Sequence, residues 1–370
     1  MRILYDYQIF MEQVYGGPSR YFLNIIKEIS KKEKVKVCAP IYINDHLSDL
    51  PKNQIFGQKF SSFIFNKIPY NIGNNYLKKL INKFNKLYLN KFQNNFKPNL
   101  LHRTYFENYK TNLPVVLTVY DLIHEKFQEL YQKEKYYRPK KGAIERADEI
   151  ICISKNTLKD LNYYYDLKNK KTSVIYLGKE LNDKKITKNI FLNKKNYLLY
   201  VGKRSGYKNF KNFIHAYSLS NKLKKNFKIH CFGGGTFQKN ELHMFKELKI
   251  NESEIEHFDG DDSILINLYK NASALVYPSR YEGFGLPLLE AMSFKCPVIC
   301  SNKSSIPEVG GNAVEYFDPE NVENIMDVIC STVFSNSKIE NLKILGTERS
   351  KLFNWNKCAS ETIDVYKRII

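Results

Sequence analysis

Residues 278–290 read Pro278-Ser279-Arg280-Tyr281-Glu282-Gly283-Phe284-Gly285-Leu286-Pro287-Leu288-Leu289-Glu290, and this stretch decides the fold. An apolar run from Ala272 to Tyr277 comes directly before it and predicts a strand. A helical pattern follows from Leu286 to Phe294, with Pro287 in the first turn, where proline is favoured because its missing N–H needs no partner. The stretch therefore predicts a strand, a glycine-bearing loop and a helix.

The residue types in this loop indicate a ligand site. The start of a helix has free backbone N–H groups and partial positive charge, so it attracts anions. Gly283 and Gly285 allow a ligand to approach the backbone closely. Glu282 in the loop and Glu290 inside the helix suit hydroxyl groups, which donate hydrogen bonds to carboxylates. An anion that also carries several hydroxyl groups describes a nucleotide sugar.

At this stretch the sequence resembles a known family. Glu282 and Glu290 match the E-x7-E motif of retaining, nucleotide-sugar-dependent glycosyltransferases with the GT-B fold. Two further strings, Ser-Ile-Pro-Glu at 305–308 and Tyr-Phe-Asp-Pro at 316–319, extend the resemblance to glycosyltransferase family 4. The resemblance implies that Glu282 binds sugar hydroxyls and stabilises positive charge near the sugar. It also implies that Glu290 holds the ribose of the donor.

The fold class implied by the resemblance is α/β with GT-B architecture. In that architecture two Rossmann-like domains have parallel sheets that face each other across a cleft, and a C-terminal helix crosses back. The predicted domains are an N-terminal acceptor domain at 1–178, a donor domain at 196–353, and a crossover helix at 354–370 that packs on the N-terminal domain. A Lys/Asn-rich, weakly patterned segment from Gly178 to Asn196 is the predicted linker.

A second glycine-bearing loop follows the predicted strand Tyr197–Val201 and precedes a predicted helix, Asn209 to Leu219. It reads Gly202-Lys203-Arg204-Ser205-Gly206-Tyr207-Lys208-Asn209 and resembles the V-G-x-x-x-x-x-K-N motif of the family. The resemblance implies that Lys208, with Lys203 or Arg204, neutralises the donor diphosphate. The predicted catalytic residues are Glu282, Lys208 and Arg204. The predicted donor-binding residues are Gly16, Gly17, Gly202, Lys203, Gly283, Phe284, Gly285, Leu286 and Glu290.

Gly16 and Gly17 lie between a predicted strand, Arg2–Tyr7, and a helix predicted from about Arg20 to Ser30. A strand, a Gly-Gly loop and a helix are typical of the start of a Rossmann-like domain. In the resembling family this loop faces the cleft, near the donor phosphates and the acceptor. A plain tight turn is the alternative interpretation.

Four residues near predicted strand ends are acceptor or sugar candidates, because open α/β sheets bind ligands at the carboxyl ends of their strands. They are His102, Tyr105, Tyr120 and Asp121. The family often has His where this chain has Tyr120, and a phenol is a poorer base near pH 7 than imidazole. For His102 a structural role at the end of a strand is the alternative.

A long helix is predicted from Asn75 to Phe96, with no acidic residue from Tyr76 to Lys97. Its lysines lie opposite an apolar stripe, and a basic amphipathic helix can lie on an anionic membrane. The alternative is a surface helix that packs its stripe on the sheet, and this is the interpretation we favour. The stripe consists of Leu77, Leu80, Ile81, Phe84, Leu87, Tyr88 and Phe92, and the lysines are Lys78, Lys79, Lys83, Lys86 and Lys91. Residues 44–75 give no clear pattern.

The composition indicates a folded protein, since 43% of its residues are hydrophobic and 14% are aromatic. The net charge of +20 would fit nucleic acid or an anionic membrane. However, only nine of the 58 basic residues are Arg, whereas nucleic-acid readers use Arg for bidentate contacts. We therefore expect no nucleic-acid partner.

Seven cysteines without a metal-binding pattern indicate a reducing cytoplasm. The chain begins with a strand pattern rather than a signal peptide, and no apolar run approaches 18 residues. The expected location is therefore the cytoplasm, with peripheral contact to the inner face of the cytoplasmic membrane if the lysine-rich helix meets lipid headgroups.

The function implied by the resemblance is retaining transfer of a hexose from a nucleotide diphosphate sugar to a glycan or lipid-linked glycan acceptor. Strings such as Gly-Gly-x-Ser-Arg-Tyr-Phe resemble bacterial surface-polysaccharide mannosyltransferases, so GDP-mannose is the first donor candidate and a UDP-sugar the second. No cofactor or metal is expected, because cations take the place of a metal ion at the diphosphate. The alternatives are another GT-B enzyme, such as a sugar-nucleotide epimerase or a phosphorylase, and a non-catalytic basic protein that binds membrane or nucleic acid.

Overall fold

The chain folds into two compact units. A computed structural model of the protein describes residues 1–60, 73–107, 109–130, 133–179 and 196–370. One unit consists of Met1–Gly178 with Trp355–Ile370, and the other of Lys179–Asn354. The predicted linker, apart from its ends, lies outside the described residues, as do residues 61–72 of the stretch 44–75.

The N-terminal unit is built on a seven-stranded sheet in which every pair of neighbours is parallel. Its order is β3-β2-β1-β4-β5-β6-β7, so the order reverses beside β1, as in Rossmann-like sheets. The strands are β1 Arg2–Tyr5, β2 Lys34–Tyr42, β3 Ile55–Lys59, β4 Leu100–Arg103, β5 Val115–Val119, β6 Glu149–Cys152 and β7 Lys171–Val174. The apolar runs of β4, β5 and β6 are buried along their whole length, as expected for strands covered on both faces.

The helices of this unit are Gln8–Glu12, Gly17–Ile29, Gly73–Phe96, Ile123–Lys126, Lys133–Glu145, Lys155–Tyr164 and Trp355–Ile369. Short 3₁₀ turns lie at His46–Asp49 and Lys52–Gln54. The helix Gln8–Glu12 lies where the sequence predicted a loop after the first strand. It forms because Phe10 and its neighbours are buried and because the carbonyl of Phe10 accepts the backbone N–H groups of Ile43 and Asn44.

The helix Gly73–Phe96 does not bury the whole predicted stripe. Its inner face carries Ile81, Asn85 and Leu89, and the Asn85 amide bonds both the N–H and the carbonyl of Ile41, each at 2.9 Å. These backbone groups lie where the pairing of β2 with β3 is irregular, so Asn85 satisfies them and sets the rotation of the helix. As a result, four residues of the stripe are left exposed: Leu80, Phe84, Leu87 and Tyr88.

The C-terminal helix Trp355–Ile369 packs against the helix Gly17–Ile29 within the N-terminal unit. Tyr366 is fully buried, and its hydroxyl lies 2.6 Å from Nδ1 of His102 and 2.8 Å from the hydroxyl of Tyr5. At the end of the helix, Arg368 forms an ion pair with the buried carboxylate of Glu149. The last turns of the chain are therefore part of the core around β1 and β4.

The C-terminal unit has a six-stranded sheet, again parallel, in the order β10-β9-β8-β11-β12-β13. Its strands are β8 Tyr197–Val201, β9 Lys228–Phe232, β10 Ile255–Phe258, β11 Ala274–Tyr277, β12 Val298–Ser301 and β13 Glu315–Phe317. Its helices are Phe210–Leu219, Asn221–Asn226, Lys239–Glu247, Asp262–Asn271, Leu286–Ser293, Ile306–Gly310, Val322–Val333 and Asn336–Lys351. The predicted α/β class with two parallel sheets is confirmed.

We predict that Tyr366→Phe destabilises the N-terminal unit by roughly 1–3 kcal/mol, because it removes the hydroxyl that His102 and Tyr5 share in a buried site. Tyr163→Phe is the matched control, since Tyr163 is 82% exposed and its change should stay within about 0.5 kcal/mol. Urea unfolding followed by circular dichroism measures both. Equal stability of the two variants would contradict the contribution assigned to this hydrogen-bond pair.

Candidate functional site

Two loops of the C-terminal unit emerge side by side, because β8 and β11 are neighbouring parallel strands. They are the loop 202–209 after β8 and the loop 278–285 after β11, both picked out from the sequence. The N–H of Arg280 donates to the carbonyl of Tyr207 at 2.8 Å, so the two loops are joined through their backbones. The order of the sheet reverses between these strands, which is where ligands bind in sheets of this kind.

Asn209 connects the two loops with a third. Its buried side-chain amide donates to the carbonyl of Pro278 at 3.1 Å and to that of Pro319, just after β13, at 2.8 Å. Its backbone is left-handed, with φ 57°, a conformation that Asn tolerates better than most residues. In the sequence, Asn209 stands only at the end of the V-G-x-x-x-x-x-K-N motif and at the start of a predicted helix. The signal for its role is an Asn immediately before a helix in a loop that has to turn sharply.

Lys208 and Glu282, predicted from different loops, form an ion pair of 2.7 Å. Both side chains are mostly buried, but neither is closed off from solvent. The ammonium group of Lys208 also lies 5.4 Å from the ring centre of Tyr207 and 5.7 Å from that of Tyr277. A cation, a carboxylate and two aromatic rings therefore meet at the carboxyl edge of the sheet.

Tyr277, the last residue of β11, also belongs to this site, although the sequence indicated only that it lies in a strand. Burial and the neighbouring carboxylate of Glu282, with which its hydroxyl forms a hydrogen bond, hold the pKa of Tyr277 well above its usual value. The phenol is therefore neutral and is a hydrogen-bond donor to Glu282. Its position directly before the loop is the only sign of this role in the sequence.

The backbone of the Glu282 loop is held by two serines from the segment after β12. The hydroxyl of Ser305 donates to the carbonyls of Glu282 at 2.8 Å and Phe284 at 3.1 Å. Ser304 accepts from the N–H of Glu282 at 3.2 Å and lies 2.7 Å from its carbonyl. These serines belong to the Ser-Ile-Pro-Glu region of the sequence, which gives that string a physical purpose.

The helix Leu286–Ser293 begins at Gly285, whose φ of 108° is strained for any residue with a Cβ atom. Phe284, before it, is buried with its ring edge-on to Phe353. Glu290 lies inside the helix, 5% exposed, and accepts a hydrogen bond of 3.0 Å from the hydroxyl of Tyr269. The predicted strand–loop–helix is confirmed, and Tyr269 is a partner that the sequence did not reveal.

Arg204 does not face an open site, in contrast to its predicted role at the diphosphate. Its side chain is buried in an ion pair of 2.7 Å with Glu241, and it also donates to the carbonyls of Gly233, Gly235 and Thr236. The guanidinium thus holds the loop after β9, where Gly233, Gly234 and Gly235 all have positive φ. Lys203, beside it, is exposed.

The four acceptor candidates differ in exposure. His102 is fully buried, with its ring nitrogens 2.6 Å from Tyr366 and 2.8 Å from Thr118, and burial lowers its pKa to about 3. Tyr120 is buried too, with its hydroxyl donating to the carbonyl of Thr104 at 3.2 Å. The polar atoms of both side chains are used inside the core, which fits the structural alternative for His102. The acceptor role of these residues stays a prediction. Tyr105 and Asp121 are partly exposed.

The loop with Gly16 and Gly17 leads into the helix Gly17–Ile29, which begins three residues earlier than predicted. Gly16 is extended, a conformation open to any residue, although a Cβ atom there would clash with Oε1 of the Gln13 side chain, which would have to move. A Cβ atom on Gly17 would meet nothing within 4 Å. Neither glycine is therefore required by the backbone itself. Within the part of the chain that the structure describes, no cluster of His, Cys, Asp and Glu could hold a metal ion. No helix in that part is long and apolar enough to cross a membrane.

Two family models match adjoining parts of the chain. The model described as Glycosyltransferase Family 4 matches residues 15–182, and the model described as Glycosyl transferases group 1 matches residues 182–344. Together they cover the two loops of the candidate site and every strand of both sheets except β1.

Curated relatives include O-antigen chain mannosyltransferase B of Escherichia coli, which is 36% identical over 173 residues, covering 46% of this chain and 45% of that protein. O-antigen chain mannosyltransferase RfbU of Salmonella typhimurium is 28% identical over 230 residues, covering 58% of this chain and 62% of that protein. The chain thus matches less than two thirds of the length of either relative.

Similar solved structures cover nearly the whole chain at low identity. WaaG, a glycosyltransferase involved in lipopolysaccharide biosynthesis, matches with a TM-score of 0.73 at 16% identity, covering 99% of each chain. Anabaena Alr3699/HepE in complex with UDP and glucose matches with a TM-score of 0.75, also at 16% identity and with 99% of each chain covered. At such identities the likeness shows the fold, and the predicted GT-B class is confirmed.

We predict that Arg204→Ala destabilises the C-terminal unit by roughly 3–5 kcal/mol, because it leaves the carboxylate of Glu241 buried without its partner. Lys203→Ala, a change at the exposed neighbour, is the control and should stay within about 0.5 kcal/mol. Combining Arg204→Met with Glu241→Gln should recover part of the loss, since no buried charge then remains. Thermal and urea unfolding of the three variants measure this, and a wild-type stability for Arg204→Ala would contradict the structural role.

Proposed function

The chain belongs to glycosyltransferase family 4, and from this premise we propose that it transfers a hexose from a nucleotide diphosphate sugar to a glycan or lipid-linked glycan acceptor, with retained anomeric configuration. The observation that carries the proposal is the ion pair of Lys208 with Glu282 at the edge where two linked loops meet. A cation for a diphosphate and a carboxylate for a sugar lie in direct contact there, as the two ends of a sugar diphosphate require.

Donor binding rearranges this pair. The diphosphate is a stronger partner for Lys208 than a single carboxylate, so the ammonium group turns to it, with Lys203 and the N–H groups at the start of the helix Leu286–Ser293 as further donors. Glu282 then keeps the hydrogen bond from Tyr277 and has an oxygen available to the sugar. In the empty protein the pair keeps both charges compensated in a half-buried site.

In the reaction the bond between the anomeric carbon and the phosphate oxygen breaks, and its electron pair stays on the phosphate. The acceptor oxygen forms the new bond on the same face of the sugar, and its proton goes to the departing phosphate. Positive charge develops on the sugar between these events, and the carboxylate of Glu282 stabilises it. Lys208 and Lys203 stabilise the negative charge on the leaving group, so no metal ion is required in this scheme. Glu290 binds the ribose hydroxyls.

Mannose is the proposed sugar and GDP-mannose the proposed donor, supported by the relatives named as O-antigen mannosyltransferases. The neighbour bound to UDP and glucose supports a UDP-sugar as the second donor candidate. The acceptor is proposed to be a growing surface glycan or its lipid-linked form. A thermal-shift screen of nucleotide sugars decides the donor first, because a ligand that binds only the native state raises the unfolding temperature.

We predict that Glu282→Gln lowers kcat with little change in the KM for the donor, because the variant keeps the size of the side chain but loses the charge that stabilises the transition state. Glu290→Gln is the comparison and should mainly raise the donor KM through the ribose. Steady-state kinetics with the donor found in the screen measure both, in buffer with EDTA. Wild-type kinetics for Glu282→Gln would remove the residue on which the proposal most depends, and loss of all transfer in EDTA would contradict metal independence.

We also propose peripheral contact with an anionic membrane at the inner face of the cytoplasmic membrane, through an outer face of the helix Gly73–Phe96. This outer face differs from the lysine face considered from sequence, because it combines exposed apolar residues with lysines. Apolar side chains reach the headgroup boundary of a bilayer while lysines attract anionic lipids. The outer face consists of Leu80, Phe84, Leu87 and Tyr88 with the exposed Lys79, Lys83 and Lys91.

We predict that co-sedimentation with vesicles containing phosphatidylglycerol falls severalfold at low salt when Lys79, Lys83 and Lys91 are replaced by Gln. The matched control replaces Lys225, Lys239 and Lys246 by Gln, three exposed lysines of the other unit, so the net charge changes equally. Phe84→Ser combined with Leu87→Ser should weaken binding without any change in charge. Equal sedimentation of the first variant and the control would leave this helix as ordinary surface.

A further inference from the structure

The N-terminal unit contains a cavity of about 510 Å³. It lies beside the segments that lead into β5 and β6, so it opens near the amino ends of those strands rather than the carboxyl ends. Its lining includes three cationic residues, Arg103, Lys110 and Arg146, and one carboxylate, Asp148. That carboxylate accepts a hydrogen bond of 2.7 Å from the N–H of Val115, so part of its charge is already used.

Arg103, in the wall of this cavity, is the largest fully buried side chain of the described residues, with 0% exposure. Its Nη2 donates to the carbonyl of Tyr109, and the guanidinium lies 4.8 Å from the centre of the Tyr109 ring. Among the residues that the structure describes, no acceptor reaches its Nε or Nη1. Unpaired donors on a buried charge are costly, and proteins rarely keep them without a purpose.

Lys110 and Arg146 stand exposed at the rim of the cavity, and within the described ranges neither forms an ion pair with a carboxylate. With Asp148, the lining has a net charge of +2. We propose that this cavity binds a small dianion of the phosphate-monoester type, with Lys110 and Arg146 at the rim and the guanidinium of Arg103 beneath them. Turning the guanidinium toward the cavity gives up the hydrogen bond to Tyr109, the contact with its ring and part of the attraction to the Asp6 carboxylate, and it gives Nε and Nη1 the acceptors they lack.

The cavity connects to the carboxyl end of the sheet through Tyr109. The carbonyl of Tyr109 accepts from Arg103, while its hydroxyl donates to the buried carboxylate of Asp6 at 2.9 Å. Asp6, just after β1, also accepts from the backbone and hydroxyl of Thr104, just after β4. An anion that moves Arg103 therefore acts on the residue that helps to hold the ends of β1 and β4.

Isothermal titration with inorganic phosphate, at constant ionic strength set by NaCl, tests the site in the full-length protein. Lys110→Gln combined with Arg146→Gln should weaken phosphate binding at least fivefold, and both positions are exposed, so the fold is kept. Lys225→Gln with Lys246→Gln is the charge-matched control and should bind as the wild type does. Lys208→Ala removes a cation of the other unit's candidate site, so the phosphate binding that remains in this variant is assigned to the cavity.

Arg103→Met should abolish the binding, and circular dichroism shows whether that variant is folded; the rim variant decides the question if it is not. Glycerol 2-phosphate, titrated in parallel, should bind at least as tightly as inorganic phosphate if a monoester is the ligand, whereas tighter binding of inorganic phosphate would contradict the monoester. Equal phosphate affinity of the rim variant and its control would overturn the site, as would loss of the binding in Lys208→Ala. No binding by the wild type at 10 mM phosphate, a concentration of the order at which weak anion sites fill, would do the same.

Discussion

The candidate site depends on one side-chain amide. Asn209 ends the loop after β8 and bonds the carbonyls that follow β11 and β13, so three segments from different parts of the chain keep one geometry. The ion pair of Lys208 with Glu282 follows from this, because Lys208 is the residue next to the anchor and Glu282 lies in the loop that begins at Pro278. A cation and a carboxylate on two untied loops would pay the entropy of ordering both before they could meet a ligand.

The sheets could be predicted where burial dominates the sequence. Strands such as β5 and β11 are covered on both faces, so they appear as continuous apolar runs between turn signals. The edge strands β3 and β7 were missed, because Ile-Phe-Gly-Gln-Lys is largely exposed, Lys-Thr-Ser-Val is mostly half-buried, and neither has such a run. The rotation of the helix Gly73–Phe96 was also missed. Periodicity identifies an apolar stripe, but the inner face is set by Asn85, which bonds the free backbone groups of Ile41 in β2. The helix sequence alone does not show that those backbone groups need a partner.

In the site, the sequence supplied the residues that carry charge but not their partners. Lys208 and Glu282 were predicted from separate motifs, and nothing in either motif shows that they touch. Tyr277 and Tyr269, which contact the two glutamates, lie in ordinary strand and helix patterns. Arg204 shows the reverse situation. Its position in the loop resembles that of a phosphate-binding residue. However, its guanidinium donates to the carboxylate of Glu241 and to three loop carbonyls, and only the tertiary structure brings those acceptors together.

A net charge of +20 therefore says less about partners than the pairing of each cation does. Lys140 is fully buried and lies 2.9 Å from Glu125, so its charge is paired inside the core. Arg204 is paired with Glu241 in the same way. Lys208 is paired with Glu282, but both side chains are still partly open to solvent. Arg103 differs from all of these, since it is buried with donors that no described residue accepts. A basic residue is thus available to another molecule only if acceptors within its own fold do not already occupy its donors. This occupancy differs among cations that look equivalent in the sequence.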